Sequence, residues 1–287
     1  MDIKSVCVCG AGTMGSGIAQ VAASAGFRTI LYELNEDVLK KAKDNIGLAL
    51  KKLTEKNKIT EKASTEIFNN IHFTNNIDDC KADLIIEAII ENAEIKTSLF
   101  LQLAEVNGAA TIFTSNTSSL SINSLAEKTK LGDRFAGLHF FNPAPLMKLV
   151  EVVKGDQTSD ESIESLMEFI KKAGKTPVVC KDSPGFIVNR VARPFYIEAL
   201  RIAEEKKVSL ETIDLLMENA GFKLGPFKLM DLIGNDVNYA VSCSVYDQLN
   251  KPERLKPSYL QKEKVEKGEL GKKTGKGYYD YTDNLKK

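Results

Sequence analysis

The amino-acid sequence predicts an α/β protein of two domains, in which a parallel sheet flanked by helices precedes an all-α domain. Three observations lead to this fold class. Short apolar runs alternate with helical patterns through the first half, a glycine-rich turn follows the first of these runs, and helical spacing alone continues after about residue 182. Strands that alternate with helices are typical of βαβ units in a parallel sheet. We therefore predict a sheet domain over 1–182 and a helical domain over 183–287.

The predicted strands are short apolar runs, as expected for strands buried on both faces of a sheet. In chain order they cover residues 6–9, 29–32, 83–90, 111–113, 135–141 and 147–153. The last two flank the proline-containing segment Asn142–Pro145. Such a segment predicts a turn, so these two strands should lie side by side.

Helical patterns fill the intervals between the strands. The first has apolar residues on one helical face, at Ile18, Val21, Ala22 and Ala25. A long lysine-rich helical stretch is predicted between Val38 and Ala63. In the second domain Ser183 and Pro184 offer an N-cap and a first-turn proline, so we expect a helix to begin there. Pro194 lies inside the same pattern and should kink that helix.

The composition excludes several classes of protein. The chain has 287 residues, of which 43% are hydrophobic and 27% charged, as in an ordinary globular protein. Its 39 Lys and Arg residues offset 39 Asp and Glu residues, so the whole molecule has no pull toward nucleic acid or anionic membranes. No apolar run approaches the roughly 18 residues that span a bilayer.

Cysteine usage indicates a reducing compartment. The five cysteines are odd in number and form no C-x-x-C pair, so neither a disulfide framework nor a metal site is expected. They are Cys7, Cys9, Cys80, Cys180 and Cys243. The first residues lack the basic and apolar regions of a secretory signal, which leads us to expect a cytoplasmic protein.

The glycine-rich turn is Gly10-Ala11-Gly12-Thr13-Met14-Gly15, between the first strand and the first helix. The first glycine permits a tight turn, the second lets the backbone approach a pyrophosphate, and the third lets the helix pack on the strand. Glu33 follows the second strand, where an acid binds the ribose hydroxyls. Neither Leu34 nor Asn35 can neutralise a 2′-phosphate, which favours NAD over NADP. These features predict a Rossmann-type dinucleotide-binding domain.

Hydride transfer to or from an alcohol needs a group that exchanges protons near neutral pH, and histidine is the usual one. Of the two histidines, His72 has no acid at a suggestive strand spacing, and we assign it a structural role. His139 ends one of the two strands around the proline turn, and Glu151 lies on the returning strand. If these strands pair, the carboxylate can orient the imidazole. Spacing alone leaves open a packed histidine beside a solvated glutamate.

Six short motifs follow one another along nearly the whole chain. They are Gly10–Gly15, Ser115–Ser119, Gly137–Pro143, Lys181–Arg190, Gly225–Phe227 and Gly275–Tyr281. In this order they resemble the short-form L-3-hydroxyacyl-CoA dehydrogenases, and among these the bacterial 3-hydroxybutyryl-CoA dehydrogenases of butyrate and butanol fermentation. The resemblance implies NAD-dependent interconversion of acetoacetyl-CoA and 3-hydroxybutyryl-CoA, in fermentation or fatty-acid metabolism. It also implies a homodimer joined through the helical domain.

The resemblance implies roles for single residues as well. His139 matches the family's catalytic histidine and Glu151 its partner carboxylate. Ser118 matches a serine that hydrogen-bonds the reacting oxygen, and Asn189 an asparagine that helps to hold the substrate carbonyl. Taken alone, Ser118 fits a loop or cap hydroxyl equally well, and Asn189 a solvated first-turn residue.

Further positions are assigned to the cofactor and to CoA. Glu91 and Lys96 match positions near the cofactor and its ribose, although a charge pair at a helix start is an alternative interpretation. Asn116 is assigned to the cofactor with them. The CoA phosphates imply basic side chains along the lysine-rich stretch, where Lys52 and Lys56 share a helical face at i, i+4. A solvated charged face is the alternative for these lysines.

Two other functions stay open at the level of sequence. An NAD-dependent 3-hydroxyacid dehydrogenase with the same two domains would act on a substrate without CoA, and the lysine-rich stretch argues against it. A non-catalytic dinucleotide-binding protein, like the lens crystallins that resemble this family, would keep the fold alone. The presence of Ser118, His139, Glu151 and Asn189 argues against that function.

Overall fold

The computed structural model describes residues 1–282. They divide into two compact units, Met1–Ser183 and a second unit that begins at Pro184. The first unit is a parallel sheet with helices, and in its described residues the second unit is built of helices and turns, without a named strand. The predicted fold class is confirmed.

One sheet of eight strands organises the described first unit. The strands are β1 (Ser5–Cys9), β2 (Arg28–Tyr32), β3 (Ile71–Thr74), β4 (Leu84–Glu87), β5 (Ile112–Ser115), β6 (Phe135–Phe140), β7 (Leu149–Lys154) and β8 (Thr176–Lys181). Their spatial order is β3-β2-β1-β4-β5-β6-β7-β8. Strands β1 to β6 are parallel, β7 is antiparallel to β6, and β8 is parallel to β7. The strand order reverses at β1, and dinucleotides bind at such a switch point.

Helices connect the strands of the first unit and make up the second. The first six are α1 (Thr13–Ser24), α2 (Glu36–Glu55), α3 (Glu61–Asn69), α4 (Ala93–Val106), α5 (Ile122–Thr129) and α6 (Asp160–Lys172). The second unit contains α7 (Val188–Glu204), α8 (Leu210–Asn219), α9 (Pro226–Ile233), α10 (Asn235–Gln248) and α11 (Tyr259–Glu266). Over residues 1–282, none of these helices has the length and apolar character needed to cross a bilayer.

Strand β1 lies in the interior of the sheet and is buried on both of its faces. Val6 and Val8 are fully buried in one cluster with Ile18 of α1. Because side chains alternate along a strand, Cys7 and Cys9 lie on the other face, where they are also fully buried. Burial on both faces explains the continuous apolar run of β1. All five cysteines are free thiols.

The lysine-rich stretch forms two helices, so the prediction of one long helix is wrong. Helix α2 ends at Glu55, and Asn57 then takes a left-handed φ of 54° that the helix cannot contain. Thr60 starts α3 by accepting the N–H of Ala63 at 3.1 Å. Lys52 lies in the last turn of α2 and Lys56 is its C-cap, so their shared face ends with the helix.

The helix predicted to begin at Ser183 begins instead at Val188. Gly185 and Phe186 have left-handed φ angles of 73° and 48°, which are incompatible with a right-handed helix. Helix α7 then continues across Pro194. A turn therefore separates the sheet unit from the first helix of the second unit.

The strand predicted over 83–90 stops at Glu87. Glu87 Oε1 accepts the N–H of Ile89 at 2.7 Å, so the side chain turns the backbone directly after the strand. The apolar residues Ala88–Ile90 form the start of a loop at the carboxyl edge of the sheet.

A buried carboxylate organises the second unit. Asp231 is fully buried and accepts the N–H groups of Tyr278 at 2.9 Å and Tyr279 at 3.0 Å, and the hydroxyl of Tyr281 at 3.1 Å. A Cβ on Gly277 would lie 2.0 Å from Asp231 Oδ1, so only glycine lets the backbone approach this closely. The Gly275–Tyr281 motif thus completes the core of this unit.

Candidate active site

The glycine-rich turn lies at the carboxyl end of β1, and its glycines differ in what they permit. Gly10 has a φ of 102°, and a Cβ there would lie 2.6 Å from the Ala88 carbonyl oxygen. A Cβ on Gly15 would lie 1.7 Å from the Gly10 carbonyl oxygen. Gly12 is different, since a Cβ there would meet nothing within 4 Å. Gly12 therefore faces open space that a ligand can enter.

The start of α1 fits an anion. The N-cap residue is Gly12, which has no side chain. It therefore offers no side-chain acceptor to the N–H groups of the first turn, around Thr13 and Met14. Unpaired N–H groups and the helix dipole favour negative charge at this end. The open approach over Gly12 and the uncapped helix together fit the pyrophosphate of a dinucleotide.

Glu33 connects this turn to the end of β2. Its Oε2 accepts the N–H of Ala11 at 3.0 Å and its Oε1 accepts the N–H of Asn35 at 3.1 Å. The half-buried carboxylate is therefore held beside the turn by main-chain groups. This position is consistent with a carboxylate that binds the ribose hydroxyls of a dinucleotide. That role of Glu33 stays a prediction.

Strands β6 and β7 pair antiparallel and set His139 opposite Glu151, as predicted from the proline turn between them. His139 Nδ1 lies 2.7 Å from Glu151 Oε2, and these side chains are 7% and 1% exposed. The alternative of a solvated glutamate is wrong. Because Nδ1 bonds to Glu151, Nε2 is the ring nitrogen that can exchange a proton with a ligand.

The loop after β5 carries Asn116 and Ser118. Asn116 Oδ1 accepts the N–H of Phe140 at 2.8 Å, which joins the loop to the residue after His139. Ser118 is half-buried, and its hydroxyl makes no hydrogen bond to any residue from 1 to 282. Its side chain can therefore bond to a ligand without losing a partner in the protein.

Lys96 of α4 forms an ionic cluster with the buried Glu87 and the partly exposed Glu91. Its Nζ lies 2.8 Å from Glu87 Oε1 and 2.8 Å from Glu91 Oε2. Burial raises the pKa of Glu87 despite the ammonium beside it. Burial opposes the charge of Glu91 too, but Lys96 and the hydroxyls of Thr117 and Ser119 lower its pKa overall.

Sequence reasoning assigned Glu91 and Lys96 to the site and missed Glu87. The sequence does mark Glu87, because it is the charged residue inside the apolar run 84–90. A carboxylate in a buried strand is rare unless it is paired. That observation would have singled out Glu87, although not its partners.

Three further residues were predicted for the site: Asn189, Lys52 and Lys56. Asn189 is in the first turn of α7, in the second unit, where its carbonyl accepts Arg193 Nε at 2.9 Å. Lys52 and Lys56 are exposed near a cleft whose lining includes Lys51 and Lys58. Their roles stay predictions.

His72 is not without an acid. Its Nε2 lies 3.6 Å from Asp79 Oδ2, since a short 3-10 turn over Ile77–Asp79 brings the carboxylate back beside β3. The side chain of His72 is 61% exposed and that of Asp79 43%. An exposed pair of this kind contributes little to stability and offers no enclosed site.

A glycine-rich turn that fits a phosphate lies at the same edge of the parallel sheet as a buried imidazole. These two features define the class of protein as a nicotinamide-dependent dehydrogenase. Comparison with known proteins narrows that class. Residues 5–183 match the NAD-binding domain of 3-hydroxyacyl-CoA dehydrogenase, and residues 185–281 match the C-terminal domain. The chain belongs to the 3-hydroxyacyl-CoA dehydrogenase family.

Relatives from distant organisms share this similarity. The chain is 47% identical over 283 residues to 3-hydroxyadipyl-CoA dehydrogenase of Escherichia coli, covering 98% of this chain and 60% of that protein. It is 44% identical to the mitochondrial hydroxyacyl-coenzyme A dehydrogenase of Sus scrofa, covering 97% of this chain and 91% of that protein. The crystal structure of (S)-3-hydroxybutyryl-CoA dehydrogenase from Ralstonia eutropha superposes with a TM-score of 0.93 at 38% identity, covering 98% and 99% of the two chains.

Proposed function

We propose that the chain is an NAD-dependent L-3-hydroxyacyl-CoA dehydrogenase that interconverts 3-hydroxybutyryl-CoA and acetoacetyl-CoA. The buried pair of His139 and Glu151, with its 2.7 Å contact, is the observation that carries the proposal. A buried imidazole held by a carboxylate is a competent general base or acid. The relatives named for CoA thioesters, among them the enzyme of Ralstonia eutropha, support the substrate class.

In oxidation, the proton of the 3-hydroxyl moves to His139 Nε2, and in reduction it returns from there. Glu151 keeps the ring in place through Nδ1 and stabilises the imidazolium that forms. The Ser118 hydroxyl bonds to the reacting oxygen, and Asn189 bonds to the substrate carbonyl. A bound NAD would supply the hydride acceptor for C3, and a bound NADH would supply the hydride donor in the reverse direction.

The cofactor is held by the turn and by the carboxyl edge of the sheet. In this proposal the glycine-rich turn and α1 bind the pyrophosphate through Gly10, Gly12, Thr13, Met14 and Gly15. Glu33 bonds to a ribose. Glu91 and Lys96 lie near the cofactor and its ribose, and Asn116 also binds the cofactor. Lys52 and Lys56 meet the phosphates of CoA.

Purified protein should oxidise NADH when acetoacetyl-CoA is added. His139→Asn should lower turnover by about 10²- to 10⁴-fold, because the proton donor is lost. The dissociation constant of NADH should stay nearly unchanged. His72→Asn is the matched control, since that side chain is exposed, and it should keep full turnover. Unchanged turnover of His139→Asn would remove this residue from the mechanism.

The same assay separates the two alternatives. Equal rates with free acetoacetate and acetoacetyl-CoA would indicate a 3-hydroxyacid dehydrogenase without need of CoA. Binding of NADH without turnover on any 3-ketoacyl-CoA would indicate a non-catalytic dinucleotide-binding protein. Trials with C4, C6 and C8 thioesters test the proposed chain length.

We also propose a homodimer that associates through the second unit. Large apolar side chains are exposed on its helices, including Leu216 at 63% and Leu232 at 53%. Exposed apolar groups of this size favour a protein partner. Leu216→Glu should therefore yield monomers in light scattering, while Leu48→Glu, at an exposed position of α2, should keep the dimer. A monomeric unmodified protein would contradict the proposal.

A cytoplasmic location completes the proposal. Five free thiols support it, since a reducing compartment keeps thiols from pairing. Fractionation of the native host with an antibody to the protein would test it, and recovery in a secreted fraction would contradict it.

A further inference from the structure

The end of β4 carries an ionic cluster that the proposed proton transfer does not use. Glu87 and Lys96 are 0% and 1% exposed, and Lys96 Nζ is shared between Glu87 and Glu91. A buried ion pair is often no more stabilising than apolar residues of the same volume. Stability alone therefore does not explain this cluster.

The second oxygen of Glu87 is bonded to the loop after β5. Glu87 and Ser115 are register partners in the pairing of β4 with β5, and Ser115 Oγ donates to Glu87 Oε2 at 2.6 Å. Ser115 Oγ also accepts the N–H of Thr117 at 3.2 Å. The main-chain carbonyl of Glu87 accepts the N–H of Asn116 at 2.8 Å. Three successive residues are thus tied to Glu87.

The same loop is tied to Glu91 from its other side. Thr117 Oγ1 and Ser119 Oγ both donate to Glu91 Oε1. Thr117 Oγ1 also accepts the N–H groups of Ser119 at 3.2 Å and Leu120 at 2.9 Å. Since Lys96 joins Glu91 to Glu87, these bonds close into one network. The loop it holds carries Ser118.

We propose that Glu87 is a positioning residue for the Ser118 hydroxyl, an inference that rests on the proposed function. Lys96 and the Ile89 N–H fix one carboxylate oxygen of Glu87, at 2.8 Å and 2.7 Å. The other oxygen holds Ser115, and through it the turn that carries Ser118. A misplacement of about 1 Å near reacting atoms can cost on the order of 10²-fold in rate.

A double-mutant cycle with Ser118→Ala tests the proposal, with kcat measured on NADH and acetoacetyl-CoA. Glu87→Gln should lower kcat about 10- to 100-fold in the unmodified background. With Ser118 already replaced by alanine, it should lower kcat less than about twofold, because the hydroxyl that it positions is gone. Equal factors in both backgrounds, or no loss in the first, would overturn the proposal.

Asp83→Asn is the matched control. This carboxylate lies just before β4, at the opposite end of the strand, and accepts Ser5 Oγ at 2.9 Å and the Ser5 N–H at 2.8 Å. Asp83→Asn should lower the melting temperature and leave kcat unchanged. A loss of kcat equal to that of Glu87→Gln would mean that any defect in β4 has this effect, and would overturn the proposal.

Hydrogen exchange gives a measurement that does not depend on turnover. Glu87→Gln should speed exchange at the amides of Thr117, Ser119 and Leu120, and unchanged exchange would overturn the proposal. If Glu87→Gln does not fold, Ser115→Ala removes the same link, keeps the ion pair and should give the same change. If unmodified protein shows no turnover, the proposed function fails, and the exchange data alone decide whether Glu87 positions the loop.

Discussion

In the proposed function, Glu33 is the residue on which the choice between NAD and NADP depends. Its carboxylate is held beside the glycine-rich turn by the N–H groups of Ala11 and Asn35. A fixed negative charge at this place accepts bonds from ribose hydroxyls and repels a 2′-phosphate. We therefore propose a local electrostatic cause for a preference for NADH over NADPH.

Glu33→Ala should raise the ratio of NADPH to NADH affinity by about tenfold, since the repulsion of roughly 1.4 kcal/mol is lost. Glu36→Ala provides the control, because Glu36 bonds to the exposed side chain of Asn75 at 2.9 Å. Fluorescence titration of both cofactors gives the ratio. An unchanged ratio in Glu33→Ala would show that another group excludes the 2′-phosphate.

Glu269 is the residue that should make the second unit sensitive to acid. Hydrogen bonds from Lys264 at 2.6 Å and Lys276 at 2.7 Å lower its pKa to about 2. Because the pKa is lower in the folded state, the charged carboxylate stabilises the folded protein at pH values above 4.5, the pKa in the unfolded state. This stabilisation is lost as the pH falls toward 2.

Glu269→Gln should therefore melt at a lower temperature than the unmodified protein at pH 7. The difference should shrink from pH 4.5 down to pH 2, because both proteins then lack the charge. Thermal melts across this range measure it. A difference that stays constant with pH would mean that the carboxylate acts through shape and not through charge.

Single residues also show where sequence reasoning succeeds. His139 and Glu151 could be predicted as a pair because a proline turn between two apolar runs fixes which residues face each other. Glu87 could not be placed in a network, since its contacts with Lys96 and Ser115 cross between different elements. Local patterns do not encode such contacts.

At the scale of elements, two glycines of the turn between β1 and α1 differ in their surroundings. Gly15 lets the helix pack on the turn, since a Cβ there would overlap the Gly10 carbonyl. Gly12 has no such neighbour and faces open space. The fold needs Gly15, and we propose that the ligand needs Gly12.

Gly15→Ala should consequently affect stability, and Gly12→Ala should affect cofactor binding. Gly15→Ala should lower the free energy of unfolding by several kcal/mol, because the backbone must move to relieve the overlap. Gly12→Ala should keep the melting temperature and weaken NADH binding at least tenfold, because the methyl group occupies the approach of the pyrophosphate. Calorimetry and NADH titration measure the two. Intact NADH binding in Gly12→Ala would place the pyrophosphate elsewhere.

Helix ends were the least predictable elements. Helix α2 ends two residues before Asn57, and α7 starts two residues after Phe186; both of these residues are left-handed and neither is glycine. Asparagine tolerates this conformation, but phenylalanine at 186 adopts it only under tertiary constraint. Apolar periodicity predicted that these helices exist and did not show where they begin and end.

At the scale of the whole molecule, the net charge is zero, but both units contain buried charged side chains. Each of these side chains needs hydrogen-bond or ionic partners. In the second unit Asp231 is surrounded by main-chain and hydroxyl donors of the Gly275–Tyr281 motif. Each buried donor left without a partner costs about 1–3 kcal/mol. The motif therefore makes a large contribution to the stability of this unit.

Asp231→Ala should lower the free energy of unfolding by about 3 kcal/mol or more, since several buried donors lose their acceptor at once. Asp236→Ala is the control, because its partner Lys273 and its own side chain are 45% and 36% exposed. That change should cost less than about 1 kcal/mol. Denaturant titration gives both values, and equal losses would show that the buried carboxylate has no special role.

The contacts of Asp231 also bear on the order in which the chain can fold during its synthesis. The donors that neutralise this carboxylate are 47 to 50 positions further along the chain. Until the ribosome has released them, a collapsed second unit would enclose a carboxylate that has lost most of its donors within residues 1–282 and keeps only that of Asn235, so we expect its closure to wait. The first unit has no such delay, since residues 1–183 are contiguous and complete earlier. A nascent chain paused before Tyr278 should accordingly offer a finished nucleotide-binding unit followed by an open, chaperone-accessible one.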